Sequence, residues 1–329
     1  MEGARMPEER DRCAIMRRMK LVFMGSPEFA LPSLLRLCAS PWEVQAVFTS
    51  PDKARGRGME ISPTPVGLEA ERQGIPVHKF ASLRRDDAPF SVLYGLHPDF
   101  IVVVAYGRIL PKEVLGVPHL GCVNIHPSLL PRHRGPAPIP AALLAGDGVT
   151  GVTTMFMDEG LDTGPILLQC RESILPEDNA QTLAERLAES GADLLIRTLE
   201  GLERGDLAPT PQDASQATYS HMLKKGDGQI DWTAPAAAIE GKVRAFTPWP
   251  SAFTTFHGKR LKILEGRALD ESPAGAMPGT ILRVRVRGID VACGEGVFQA
   301  TTVKLEGKNA CPVAIFLSGH QIMAGELWM

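Results

Sequence analysis

The chain has 329 residues, with 35 Lys and Arg against 38 Asp and Glu, a net charge of −3 and 44% hydrophobic residues. This is the composition of a soluble globular protein, too long for a single core and without a run of about 18 apolar residues that would span a bilayer. The six cysteines form no Cys-x-x-Cys pair, which argues against a zinc or disulfide framework and for free thiols in a reducing, cytoplasmic setting.

Met1 to Arg18 mix Glu and Arg without an apolar centre, unlike a secretory signal, and the expectation is a disordered extension with Met19 as the functional start. Regular structure then begins at once. Lys20 to Met24 reads as a strand ending at Gly25, and Ser26-Pro27 supplies an N-cap followed by proline. Val44 to Thr49 reads as a second strand, Pro65 to Gln73 as a helix, and Phe100 to Ala105 as the buried apolar run that parallel sheets use. Gly121 to Ile125 is the next strand, followed by a helix at Pro136 to Ala145, strands at Thr150 to Met157 and Ile166 to Ser173, and a long amphipathic helix over Thr182 to Glu203. The order is that of an open, mostly parallel, Rossmann-like α/β sheet occupying 19–205.

Residues 206–223, with Pro209, Pro211 and small polar residues, have linker composition. Short strands dominate 224–329, at Ser251 to Phe256, Leu261 to Leu264, Gly279 to Val286, Ile289 to Cys293 and Thr301 to Leu305, and predict a small β barrel. Charge differs between the parts. Residues 19–223 carry 17 Lys and Arg against 24 Asp and Glu, whereas 224–329 carry 13 against 10, a balance that suits a polyanionic partner or an ordinary solvated face.

Three residues carry chemistry. Asn124 and His126 alternate with Val123 and Ile125, so both face one side of a strand just before the turn Pro127 to Pro131. Strand ends of this kind border the ligand crevice of an open α/β sheet. Asp162 lies on the Gly-rich turn Asp158 to Gly164. Acyl transfer between amines needs donors for a developing oxyanion and a group that titrates near neutrality; an Asn amide and an imidazole meet those needs, and a carboxylate orients the imidazole.

Other readings are weaker. Cys122 in Gly121-Cys122-Val123 reads as buried strand rather than nucleophile. His119, His126 and His133 are spaced by seven, but intervening prolines deny them a shared helix face, so no metal is expected. The turn Gly25 to Ala30 has one of the three glycines of a dinucleotide fingerprint, and no Walker-type loop occurs.

Asn124-Ile-His126-Pro-Ser128-Leu-Leu-Pro131-Arg-His-Arg134-Gly and Met157-Asp-Glu-Gly-Leu-Asp162-Thr-Gly164 resemble the motifs of the formyltransferases that use 10-formyltetrahydrofolate. The resemblance implies a catalytic set of Asn124, His126 and Asp162, and a folate site enclosed by Ser128, Leu129, Leu130, Pro131, Val104, Tyr106, Leu110 and Asp158. Pro127 stands where the family more often has a small residue; proline restricts His126 to extended backbone, which fits a strand end.

Ser50 to Gly58 resembles the basic inserted loop with which members acting on tRNA grip the acceptor stem, implying contacts from Lys53, Arg55 and Arg57. The extra domain, opening with Ile230-Asp-Trp232 and Arg244 to Pro250, resembles the OB-like barrel of the same members. In Leu282 to Arg287, Arg283, Arg285 and Arg287 alternate with apolar residues and would offer one charged strand face to RNA. The implied partner is methionyl initiator tRNA, with the enzyme a monomer. A formyltransferase for an amino sugar nucleotide, a formyl-folate hydrolase, and a non-catalytic RNA-binding protein are the alternatives.

Overall fold

The structure is a computed structural model that describes residues 18–55, 60–83 and 88–329, with side chains at 53–61 outside that description. The first sheet is built from short β-branched and aromatic runs: β1 (Lys20–Gly25), β2 (Glu43–Thr49), β5 (Val77–Lys79), β6 (Phe100–Val104), β7 (Gly121–His126), β8 (Val149–Phe156) and β9 (Ile166–Ser173). A small hairpin, β3 (Lys53–Arg55) with β4 (Glu60–Ser62), interrupts the series. Strand order is β5-β2-β1-β6-β7-β8-β9, parallel through β7 and antiparallel for β8 and β9. The chain fills one side of β1 and then returns to the other, so the sheet has its switch between β1 and β6, and the ends of β6 and β7 open onto a crevice.

Helices α1 (Leu31–Cys38), α2 (Pro65–Arg72), α3 (Ala88–Leu96), α4 (Lys112–Leu115) and α5 (Pro138–Leu144) flank the sheet. The long α6 (Ala180–Arg204) starts at Asn179, whose side chain accepts from Gln181 and Thr182 while Thr182 answers in a capping box, and stops at Gly205 with φ of 71°. Its Leu183, Leu187, Leu194, Leu195 and Leu199 are buried against the sheet, each worth about 1.5–3 kcal/mol of burial. Among the described residues no helix is long and apolar enough to cross a membrane.

The second core surrounds Trp232, Phe298, Val303 and Trp328. It is enclosed by α7 (Ala236–Phe246), β10 (Ala252–Phe256), β11 (Lys259–Leu269), β12 (Ile281–Arg285), β13 (Gly288–Ala292), β14 (Val297–Leu305), β15 (Cys311–Pro312) and α8 (Val313–Gly319). The antiparallel path runs β10-β11-β14-β13-β12, and β10 and β12 do not pair. The last residues fill that gap: Thr255 donates to the Met329 carbonyl at 2.6 Å, while Ile281 donates to Glu326 and Trp328 to Gly279. The tail thereby joins the two edges of the barrel-like sheet.

The two cores meet along α7, whose Ala245 and Phe246 belong to the first core and whose Arg244 donates to the carbonyls of Leu175 and Asp178. Residues 206–223 contain little regular structure, as their prolines predict, yet they lie along the first sheet. Thr210 bridges Ile166, and Tyr219 bridges Arg134.

Candidate active site

A cavity of about 700 Å³ opens at the ends of β6 and β7, within the range of small-molecule sites. Val103, Leu110, Ile139, Met155 and Met157 give it apolar walls, and Asn124, His126 and Asp162 form its polar end. Strand alternation brings Asn124 and His126 to the same wall. Both are buried, at 9% and 4% exposure, and among the described residues the Asn124 amide has no hydrogen-bond partner. A donor held in this way is free for a ligand.

Because β8 is antiparallel, the loop that follows it leaves beside the start of β7 and runs back along that strand to bring Asp162 to His126. Asp162 has a left-handed φ of 54°, and its carbonyl is held by the Gln212 amide at 2.9 Å. Its Oδ2 accepts the Gly135 N–H at 2.7 Å and lies 3.6 Å from His126 Nδ1.

The other ring nitrogen of His126, Nε2, is 3.0 Å from the His133 carbonyl oxygen. A carbonyl oxygen only accepts, so Nε2 carries the proton and the neutral ring leaves Nδ1 as an acceptor facing Asp162. Burial pushes the His126 pKa below its ordinary value, opposed by the charge of Asp162 and the bond to His133. The imidazole is therefore neutral near pH 7 and beside a carboxylate that favours its charged form.

The structure separates the residues expected around a folate. Tyr106, Leu110 and Asp158 line the cavity, and the buried Tyr106 hydroxyl has no partner among the described residues. Val104 is in the core, with Val103 and Ala105 on the wall instead. Ser128, Leu129, Leu130 and Pro131 are not on the wall either. Ser128 is fully buried with its hydroxyl on the Arg132 carbonyl, Leu130 donates to Thr153, and Leu129 packs against Gly151. This segment supports the turn, and Gly135 to Pro140 supply the wall.

Phe29, Arg108 and Met222 also line the cavity and carry no local pattern that would have singled them out. Cys122 sits at 3% exposure, and burial pushes its thiol up to about 12, which disfavours a thiolate nucleophile. The His133 ring binds Asp147 at 2.8 Å, and among the described residues no group of His, Cys, Asp and Glu side chains is arranged to hold a metal ion.

The expected RNA-facing arginines divide as well. Asp290 is completely buried, and Arg283 binds it at 2.8 Å while also pairing with Glu271; Arg285 approaches it at 3.5 Å. Arg283 and Arg285 both pair with this buried carboxylate, although the Arg285 side chain is 54% exposed, and Arg287 is exposed in the turn that follows β12. Lys53 and Arg55 lie on β3, and Arg57 falls outside the described residues.

Comparison with known proteins agrees with this architecture. The family model described as formyl transferase matches residues 19–199, and that of the formyl transferase C-terminal domain matches 222–321. The methionyl-tRNA formyltransferase of Citrifermentans bemidjiense is 45% identical over 312 residues, covering 95% of this chain and 97% of its own. That of Synechococcus sp. (strain JA-3-3Ab) is 46% identical over 315 residues, covering 93% and 97%. At the level of fold alone, the N-formyltransferase from Helicobacter canadensis, solved with folinic acid and dTDP-3-aminofucose, superposes with a TM-score of 0.66 at 18% identity, over 86% of this chain and 98% of that one. HypX from Aquifex aeolicus in complex with tetrahydrofolic acid gives 0.60 at 20% identity, over 91% of this chain and 47% of that one. With both halves matched and near-full-length relatives above 40% identity, the chain belongs to the formyl transferase family.

Proposed function

We propose that this enzyme transfers the formyl group of 10-formyltetrahydrofolate to the amino group of methionyl initiator tRNA. The chemistry rests on one observation, a buried imidazole whose Nε2 is taken by the His133 carbonyl and whose Nδ1 faces the Asp162 carboxylate at the polar end of an apolar cavity. The acceptor is supported by relatives of 42–46% identity, named methionyl-tRNA formyltransferase, that match nearly the whole chain.

The cavity fits a folate in size and in having apolar walls with one polar end. Tyr106, Leu110 and Asp158 would hold it, and when bound it supplies the formyl carbon. The Asn124 amide donates to the formyl oxygen as charge develops there, a contact worth roughly a hundred- to a thousandfold in rate. His126 Nδ1 takes the proton of the attacking amine, Asp162 stabilises the resulting imidazolium, and the same proton returns to the departing nitrogen.

The outer face of the second sheet supports an RNA acceptor. Lys262 and Lys304 are register partners on β11 and β14, and Arg260 lies over the Phe253 ring at 4.1 Å. Burial, then Lys304 and Arg260, lower the Lys262 pKa. Like charges opposed across strands are unfavourable alone and are neutralised by a phosphate backbone. The basic segment containing Lys53, Arg55 and Arg57 is the second element we assign to the acceptor stem.

The test is formyl transfer with 10-formyltetrahydrofolate to charged initiator tRNA and, in parallel, to a nucleotide-linked amino sugar. A much higher kcat/KM for the tRNA is expected; equal values would sink the acceptor assignment.

A further inference from the structure

A single turn, Arg132 to Gly135, holds both members of the His126–Asp162 pair. The His133 carbonyl takes the proton of His126 Nε2, and two residues later the Gly135 N–H binds Asp162 Oδ2. The turn does this in a constrained conformation, because His133 has a φ of 56°, where L residues with a Cβ are uncommon. Several contacts hold it there. Asp147 Oδ2 receives His133 Nε2 at 2.8 Å, and Asp147 Oδ1 receives Arg132 at 2.7 Å. The His133 N–H donates to Thr218 Oγ1 at 2.8 Å, and the next N–H, of Arg134, to the Thr218 carbonyl at 2.8 Å.

None of His133, Asp147 and Thr218 lines the cavity. Their contacts end instead on the backbone carbonyl that decides which nitrogen of His126 is free. We infer that His133, clasped by Asp147, is a positioning residue that fixes His126 as its Nε2–H tautomer and keeps Nδ1 available to the reacting amine. The inference rests on the reading of His126 as the proton acceptor in formyl transfer. If the carbonyl swings away, Nε2 loses its acceptor, and the proton gains from moving to Nδ1 beside the Asp162 carboxylate. The base is then spent.

The ionisable groups facing His126 are Asp162, from the loop after β8, and His133, from the turn; its partner across the sheet, Thr153, does not titrate. A tautomer change therefore has few competing explanations.

The test is nitrogen NMR of the histidine-labelled full chain, combined with kinetics. Wild type is expected to show His126 as the Nε2–H form. His133→Ala and Asp147→Ala are expected to populate the Nδ1–H form and lower kcat roughly 10- to 100-fold, with KM for the folate changed less than about twofold. His133→Asn, which accepts a left-handed backbone, recovers much of kcat. An Nδ1–H ring in wild type, or folded variants with unchanged tautomer and kcat, would overturn the inference. If the alanine variants fail to fold, the wild-type tautomer and the milder Asp147→Asn decide the matter. The NMR result does not depend on the acceptor, so failure on tRNA would count against the proposed function and leave the tautomer standing or falling by itself.

Discussion

Asp162 Oδ2 stands 3.6 Å from His126 Nδ1 and accepts the Gly135 N–H at 2.7 Å, so the carboxylate is fixed to the backbone before it acts on the imidazole. This geometry sets the pH behaviour. Burial lowers the His126 pKa below 6.5 and Asp162 raises it in part. The kcat profile is expected to be flat through pH 7 and to fall on an acid limb below 6.5. Asp162→Asn removes the opposing charge, so its acid limb moves to lower pH while kcat drops. An upward move would show that Asp162 does not favour the imidazolium.

The same shift affects stability. His126 has a depressed pKa in the folded state, so as pH falls through the unfolded value near 6.5 the unfolded chain binds the proton first and stability is lost, until the folded pKa is passed. Denaturant unfolding at pH 7.5 and 5.5 should show a smaller acid loss for His126→Gln than for wild type. An equal loss would place the sensitivity elsewhere.

Gly135 has a φ of 109°, and a Cβ there would come 2.7 Å from the Ser220 carbonyl oxygen. Gly135→Ala must move the N–H that holds Asp162. A stability loss of about 1–3 kcal/mol and a kcat lowered at least about tenfold are expected, read from unfolding and steady-state kinetics. Unchanged kcat in the folded variant would mean that Asp162 does not need this anchor.

Burial holds the Cys122 thiol near 12. Native protein is expected to resist alkylation at this site at pH 8 until unfolded, and Cys122→Ala to keep kcat within about twofold. Rapid native labelling at Cys122 with loss of activity would revive the thiol as a nucleophile.

Arg283 and Lys262 make opposite predictions although both are basic strand residues. Arg283→Ala removes one partner of the buried Asp290, which keeps Gln299 and Arg285, and should lower stability in denaturant unfolding with little change in KM for tRNA. Lys262→Ala and Lys304→Ala should raise that KM and each reduce the salt dependence of tRNA binding by about one counterion. A salt slope unchanged in both lysine variants would move the RNA surface away from β11 and β14.

Much of this was legible in the residues. The alternation around Asn124 and His126 and the Gly-rich turn at Asp162 are local patterns, and the Val-rich run of β6 betrays a strand buried on both faces. Residues whose role comes from distant partners were not legible. Nothing near Gly135 announces Asp162 or Ser220, and the polar composition of 206–223 conceals Gln212, Thr218 and Ser220 laid against the site. The partners of Arg283 were hidden for the same reason. Alternation placed it outside the core, but not its ion pair with Asp290, opposite it on β13. Helix α7 was missed because its Ala-rich stretch packs against both cores and lacks one clear apolar face.

The most direct test is single-turnover transfer from 10-formyltetrahydrofolate to methionyl initiator tRNA by wild type and His126→Ala. Wild type should yield N-formylmethionyl-tRNA at least about a hundredfold faster than the variant, with tRNA affinity nearly unchanged. Equal rates for the two, or no formylated tRNA from wild type, would contradict the account.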